Sequence, residues 1–377
     1  MSLVDDPGVW QQIRQGRAPT DEGVAAVARR HRGRLGSDGA AVVADRLRQE
    51  VLGLGPLEPL VDARTTDLLL NGTEVWLDRG RGLERGPQVL PDHEAVRRLA
   101  VRLAGLCGQR LDDASPCVDG ILPSGVRLHA VLPPLVDGGP HLSLRLPRRL
   151  RPRLPDLVAW GLLSEPDADL LRRVVRSRLA FVVSGGTGSG KTTLLGALLA
   201  EVGQHERVLV AEDVRELAVD HPHVVRLQGR ARNVEGRGEV TLTDLVRQSL
   251  RMRPDRMVVG EVRGAEVREL LTALNTGHEG GCGTLHANGA AEVVSRFEAL
   301  GALAGMSPAA VHAQLASAVD VVLHLGRSHG RRRLREVALL EPGGSGGQVV
   351  TAATDDGQQL RPGPGWQRLL ARLGTVP

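Results

Sequence analysis

The order of apolar and polar positions divides the chain into stretches of different period. From about 164 to 325, short unbroken apolar runs such as Phe181-Val182-Val183, Val208-Leu209-Val210-Ala211 and Met257-Val258-Val259 alternate with stretches of helical period. Runs without polar alternation predict strands buried on both faces, which belong to a parallel sheet covered by helices. The helical stripes are explicit. Val267, Leu270, Leu271 and Leu274 fall at i, i+3, i+4 and i+7, and Leu242, Leu245, Val246 and Leu250 follow Thr241 or Thr243 as N-cap. Val311, Leu315 and Ala318 follow the pair Ser307-Pro308, a cap with proline at the first helical position. One more helix is expected at 194–202.

Upstream the pattern changes. Segments 66–70, 74–77, 127–131 and 141–146 read as short strands around a helix at 94–106, which predicts a smaller α/β domain over 49–150. Val24, Val27, Ala28, Val42, Leu47 and Val51 predict a helical segment at 1–48. The run Pro147-Arg148-Arg149-Leu150-Arg151-Pro152-Arg153-Leu154-Pro155 is stiffened by proline and kept wet by arginine, so 151–163 is expected to be a linker. The main domain then spans 164–342, and Pro342-Gly343-Gly344-Ser345-Gly346-Gly347 sets off a tail at 343–377. Within that tail 348–351 can pair back on 334–340, and Trp366, Leu369 and Leu370 mark a short amphipathic piece.

Composition narrows the function classes. The chain has 41% hydrophobic and 24% charged residues, which excludes a mostly disordered protein. No apolar run approaches the ~18 residues of a membrane span, and Asp5 and Asp6 stand where a signal peptide carries basic charge, so a cytoplasmic protein is expected. Cys107, Cys117 and Cys282 form neither a disulfide framework nor a zinc pair. A net charge of +4 is modest for 377 residues, and with no Tyr, four Trp and two Phe the chain lacks stacking platforms for single strands. Nucleic acid is therefore not the expected partner.

One compositional fact points to chemistry. Of 48 Lys+Arg residues all are Arg except Lys191. An ammonium is a compact point charge that fits inside a tight loop, whereas a guanidinium fork is wider. Lys191 lies in Gly185-Gly186-Thr187-Gly188-Ser189-Gly190-Lys191-Thr192-Thr193, after an apolar run and before a helical stretch, and this fits the phosphate-binding pattern G-x-x-x-x-G-K-[ST]. Glycines let backbone N–H groups curl round the phosphates of ATP, Lys191 bridges the β- and γ-phosphates, and Thr192 reaches Mg²⁺.

Such a loop needs a carboxylate at another strand end, to hold Mg²⁺ or polarise water. Glu212, ending Val208-Leu209-Val210-Ala211-Glu212-Asp213, and Glu261, ending Met257-Val258-Val259-Gly260-Glu261, are the candidates. Asn275 to Asn288 holds His278 and His286 around a glycine-rich loop. Their spacing of eight lacks the i, i+4 geometry of a zinc helix, so a hydrogen-bonded histidine at a strand end or a γ-phosphate sensor is expected, not a metal ligand.

GGTGSGKTT, VAEDVREL, RMRPDRMVVGEVRG and TGHEGGCGTLHAN, in this order, resemble the Walker A, Asp, Walker B and His boxes of the ATPases of type II and type IV secretion and pilus machines. Asn233 to Val240 and Glu50 to Leu60 look most like the tight-adherence, or Flp pilus, branch. The resemblance implies a RecA-like P-loop ATPase domain with a smaller N-terminal α/β domain, assembled as a homohexamer. It implies that ATP hydrolysis powers pilus assembly or protein secretion through an inner-membrane platform protein, from the inner face of the plasma membrane. Glu261 would polarise water, Glu212 would assist at Mg²⁺ or water, and His286, with His278 as a further candidate, would report on the γ-phosphate. Family arginines of the N-terminal domain map onto Arg127 and Arg145. The sequence departs from the family at Pro123-Ser124-Gly125, at Leu146 and at Cys282. A RecA-like translocase of nucleic acid in conjugal transfer is the alternative, since the same fold serves both.

Overall fold

Alternating and continuous apolar runs sort the strands into two different sheets. The computed structural model describes residues 52–80, 82–147, 151–230, 232, 237–277, 279–328, 331–343 and 346–374. These divide into two units, one of the residues up to 147 with 232 and 237–239, the other of the residues from 151 onward without those. The expected helical segment at 1–48 lies outside the described residues.

In the first unit β1 (Asp67–Asn71), β2 (Glu74–Asp78), β3 (Leu83–Arg85), β4 (Cys117–Ile121), β5 (Arg127–Val131) and β6 (His141–Arg145) form a six-stranded sheet in the order β3-β2-β1-β6-β5-β4. Every pairing is antiparallel. Period two puts Leu68, Leu70, Val75, Leu77, Leu128, Ala130, Leu142 and Leu144 into one core. The helix α1 (His93–Leu106) covers that core with Val96, Leu99, Ala100 and Leu103. It starts where the Asp92 carboxylate accepts the Ala95 amide at 2.7 Å.

The second unit holds nine strands: β7 (Phe181–Gly185), β8 (Val208–Glu212), β9 (Val224–Gln228), β10 (Arg256–Val262), β11 (Cys282–Leu285), β12 (Val321–Ser328), β13 (Arg331–Gly343), β14 (Gly346–Asp355) and β15 (Leu360–Pro362). Their order is β15-β14-β13-β12-β7-β11-β10-β8-β9. From β12 to β9 all pairs are parallel, and β13, β14 and β15 extend the sheet antiparallel. The continuous apolar runs serve two cores at once. Phe181, Val183, Val210 and Val258 meet α2 (Leu154–Ala159), α3 (Glu165–Arg176), α4 (Lys191–Leu199) and α9 (Trp366–Leu373). Val182, Leu209 and Val259 meet α5 (Leu242–Ser249), α6 (Val267–Asn275), α7 (Val293–Leu303) and α8 (Pro308–Ala318). This is the expected RecA-like α/β layering. The caps are also those expected: Thr241 accepts the Asp244 amide and Ser307 the Ala310 amide.

Three expectations need correction. The linker expected at 151–163 contains α2, whose Leu154 and Leu157 are fully buried with Leu162 and Leu163 in the second core. Proline at the first turn starts that helix where the sequence suggested an extended joint. The tail expected at 343–377 is sheet and helix: β13 and β14 pair through Leu340 and Val349, and α9 buries Leu369 and Leu373. The helix expected at 194–202 begins at Lys191 and ends at Leu199, because Gly190 (φ 101) turns the chain straight into it.

A buried ion pair anchors the start of β10. Arg256 is 1% exposed, donates to Glu206 at 2.7 Å and to the Val175 carbonyl at 3.0 Å. Burial pushes the Glu206 carboxyl up, but hydrogen bonds from Arg256 and Arg178 outweigh it and hold its pKa at about 2.

Candidate active site

β7 lies between β11 and β12, and at its C-terminal end the chain turns through the glycine-rich loop into α4. Ligands of open parallel sheets bind at such strand ends. Gly185 (φ 149), Gly188 (φ 69) and Gly190 (φ 101) hold conformations that side chains rarely adopt. The loop is also crowded, since a Cβ on Gly185 would stand 2.5 Å from the Leu325 carbonyl oxygen. The first amides of α4 have no partner inside the helix and face the loop with the positive end of its dipole.

Lys191 is 7% exposed and donates to the carbonyls of Gly185 and Gly186, both at 2.9 Å. Burial lowers its pKa and the nearby Glu261 opposes that shift. The buried Ser189 hydroxyl has no hydrogen-bond partner. An orphaned hydroxyl, a buried ammonium and the helix amides together fit the phosphates of a nucleotide. Thr192 and Thr193 are half-buried in the first turn of α4.

The sheet order brings the distant acids and His286 to this loop. His286 follows β11, and its Nε2 lies 2.9 Å from Glu261 Oε1 and 3.3 Å from Lys191 Nζ. On the far side Glu261 Oε2 is 3.9 Å from Arg263, whose Nε donates to Asp213 at 3.0 Å. Lys191, His286, Glu261, Arg263 and Asp213 therefore form one polar chain across the strand ends. His278 lies outside the described residues.

Glu212 is placed differently. It is 4% exposed, and its Oε1 accepts the Glu216 and Leu217 amides at 3.1 and 2.9 Å, while the buried Oε2 has no partner. Burial raises its pKa, against the two amide hydrogen bonds. The side chain packs on Gly260, where an added Cβ would stand 2.5 Å from Glu212 Cγ. Among the described residues no three His, Cys, Asp or Glu side chains form a metal-holding group. Mg²⁺ takes one or two carboxylates plus substrate phosphates; Thr192, Glu261 and Glu212 are the groups that could hold it.

Arg127 and Arg145 belong to the first unit. They stand directly opposite each other on β5 and β6, and each has an aspartate at 3.4 Å, Asp119 and Asp67 respectively. Two cations the sequence did not single out lie beside the loop: the Arg327 guanidinium is 3.6 Å from a Cβ position on Gly188, and Arg332 Cδ is 3.8 Å from one on Gly190. Nothing marks them in a chain with so many arginines. Arg263 had a signal, two residues after Glu261 in VGEVRG. Cys282 is buried and its thiol is pushed up to about 12 by burial, so it serves β11 as a small neutral residue.

No helix among the described residues is long and apolar enough to cross a membrane. Residues 50–353 match the family described as Type II/IV secretion system protein. A putative conjugal transfer protein of Mycobacterium tuberculosis is 55% identical over 314 residues, covering 81% of this chain and 89% of its own. The conjugal transfer protein TrbB of Rhizobium radiobacter is 34% identical over 302 residues, covering 78% and 90%. The pilus retraction motor PilT with bound ADP superposes with a TM-score of 0.54 at 21% identity, covering 84% of each chain, which speaks for the fold alone. The match over most of the chain, and relatives this similar along their length, make it a member of the type II/IV secretion ATPases, the P-loop motors that hydrolyse ATP for secretion and pilus assembly.

Proposed function

We propose that this ATPase works as a homohexamer in the cytoplasm, at the inner face of the plasma membrane, and drives pilus assembly or secretion through an inner-membrane platform protein. The observation that carries the reading of the site is the contact of Lys191, His286 and Glu261 at the ends of β7, β11 and β10. It puts a cation for the phosphate tail and an acid for water within reach of one ring.

In this reading Gly185, Gly186, Thr187, Gly188, Ser189, Gly190 and Thr193 wrap the phosphates of ATP. Lys191 leaves its two carbonyls for the β- and γ-phosphates, since charge-assisted hydrogen bonds to an anion are stronger than those to neutral carbonyls. Mg²⁺, when bound, neutralises phosphate charge and is held by Thr192 with Glu261 and Glu212, partly through water. The unpaired Oε2 of Glu212 is the acceptor available for that purpose. Glu261 polarises the attacking water.

His286 Nε2 cannot both donate to Glu261 and accept from Lys191, since one ring nitrogen carries either a proton or a lone pair. The 2.9 Å contact to Glu261 is the shorter, so Nε2–H donates there and Lys191 spends its protons on the carbonyls. Drawing Lys191 onto a phosphate changes what His286 faces, which lets the ring report on the γ-phosphate. Arg127 and Arg145 then close over the phosphates, where a guanidinium compensates charge that grows in the transition state. Their placement directly opposite each other on adjacent strands supports this, because it brings two cations to one place on the sheet. Small-angle scattering that is identical with and without nucleotide overturns that closure.

Glu50 to Leu60 and Asn233 to Val240 support placement in the tight-adherence branch; of the second run, 233–236 lie outside the described residues. A second reading, nucleic-acid translocation in conjugal transfer, is favoured by the names of the two relatives. ATP turnover stimulated by single-stranded DNA, with a steep salt dependence, would select it. Co-purification of a platform protein would select the motor of secretion or pilus assembly.

The central test compares phosphate release and ATP binding in wild type, Lys191→Ala and Glu261→Gln. Lys191→Ala is expected to lose both, and Glu261→Gln to bind without turnover. Equal and negligible release in all three leaves a nucleotide-dependent scaffold.

A further inference from the structure

Outside the residues already assigned, the second core buries a histidine on β12. His324 is 8% exposed and Ser184 is fully buried, yet the two face each other with Ser184 Oγ 3.0 Å from His324 Nδ1. An imidazole and a hydroxyl buried among aliphatic side chains are costly unless each finds a partner. A leucine at 324 would fill the same core at no such cost. The polar pair therefore asks what it holds.

Its position supplies the answer. His324 is in register with Ser184, and Ser184 with Leu285, so three adjacent strands reach the same level at these residues. Ser184 is the last residue before Gly185, where the phosphate loop begins, and Leu285 is the last before His286. Beyond Ser184, the ring also interacts with the backbone of Asn288, two residues past His286. Asn288 is itself fixed, since its amide donates to the Glu292 carboxylate at 3.2 Å. One ring thus joins the strand that enters the phosphate loop to the segment that carries His286.

We propose that His324 is a positioning residue for hydrolysis: through Ser184 and the Asn288 backbone it sets where His286 stands against Lys191 and Glu261. This rests on the reading of Lys191, His286 and Glu261 as the ATP site. His324 touches none of the reacting groups and acts through the segment 286–288. With one nitrogen on the Asn288 backbone, Nδ1 is left to accept the Ser184 hydroxyl, so the linkage needs the neutral ring. Burial lowers the pKa of His324; Glu336 of β13 and Glu292 of the turn after β11 oppose that, and Arg335 of β13 reinforces it. Glu336 is held in place by the Thr351 hydroxyl of β14 at 2.7 Å. Protonation adds a proton to Nδ1, which then donates to Ser184 and reverses the hydrogen bond at the root of the loop.

The test is steady-state ATP hydrolysis, ATP binding and the pH dependence of kcat in His324→Leu, His324→Gln and Ser184→Ala, with Lys191→Ala alongside. His324→Leu is expected to lower kcat roughly 10–100-fold, the size of effect produced by misplacing an active-site group by about an ångström. ATP binding should stay within about twofold, because the loop itself is intact. His324→Gln, which can still bridge two partners, should recover much of the rate and should show a smaller acid-side fall in kcat than the one expected of wild type. If His324→Leu does not fold, the Gln and Ser184→Ala variants decide by the same two readouts. Wild-type kcat in the Leu variant, or in both of the others, overturns the proposal, as does a loss of binding equal to the loss of rate. Lys191→Ala separates the failures: if it loses ATP while His324→Leu turns over normally, the site stands and the positioning role falls.

Discussion

The two units offer cations to an anion in opposite ways. In the nine-stranded sheet Lys191 is buried, its ammonium fixed by two carbonyls, and the groups around it come from strands that are neighbours only through the parallel order. In the six-stranded sheet Arg127 and Arg145 sit on adjacent antiparallel strands, partly exposed, each beside one aspartate. In the first arrangement the cation itself is buried, so one misplaced atom beside it has a large effect. The second is wet and screened, and its ion pairs contribute ~0–1 kcal/mol each. We propose that binding belongs to the first and the timing of hydrolysis to the second.

The largest effect that sharpens this contrast is expected from Lys191→Arg. The substitution follows the arginine bias of the rest of the chain, but the wider fork has no room between the Gly185 and Gly186 carbonyls. ATP binding, followed by titration with a fluorescent nucleotide, should weaken by roughly 100-fold or more. Near-normal binding would break the claim that this loop is shaped for an ammonium.

Next come Arg127→Ala and Arg145→Ala. Each should lower kcat by roughly 10–1000-fold, a cautious share of what arginine contacts contribute to phosphoryl transfer, while ADP affinity changes only a few-fold. Thermal stability should hold or rise slightly, since each variant relieves a like-charge pair. Unchanged kcat in both removes the first unit from the chemistry.

Glu212→Gln tests the buried side for a trade between stability and activity. Burial raises the Glu212 pKa, so ionising it costs stability: the contribution is fully present below its unfolded value near 4.5 and is lost as pH rises through the folded value. A neutral Gln should therefore raise the melting temperature at neutral pH, by an amount that vanishes near pH 4, while hydrolysis falls. A lower melting temperature at neutral pH would mean that the ionised carboxylate is what those backbone amides require.

The smallest effect is expected from Arg327→Ala, a cation exposed to solvent beside Gly188. KM for ATP should rise about two- to fivefold at low salt and converge on wild type at high salt, as screening removes the arginine's field. A large effect that ignores salt would place Arg327 with the buried contacts.

Much of the second sheet was legible because its apolar runs and capped stripes are long and unambiguous: Val267, Leu270, Leu271 and Leu274 of α6 are all buried as expected. The first sheet was legible where period two holds, as in β5, and not in β3, whose Leu83, Glu84 and Arg85 are all exposed. The site was legible residue by residue but not as an arrangement. Lys191, Glu261 and His286 each had a sequence signal, yet their contact depends on strand order, which no local pattern encodes. His324 and Ser184 gave no signal at all, since single polar residues in an apolar run look like interruptions until the register pairs them. Pro155 misled at the linker, because proline opens α2 there and does not end a domain.

Gly260 carries a practical consequence. Because the Glu212 side chain rests where a methyl group on residue 260 would go, enlarging that residue displaces Glu212, while Glu261, on the irregular end of β10, stays anchored to His286 at 2.9 Å. One small substitution can thus evict the inner acid and spare the outer one, giving the experimenter a separate handle on each and evolution a route to throttle the engine without dismantling it.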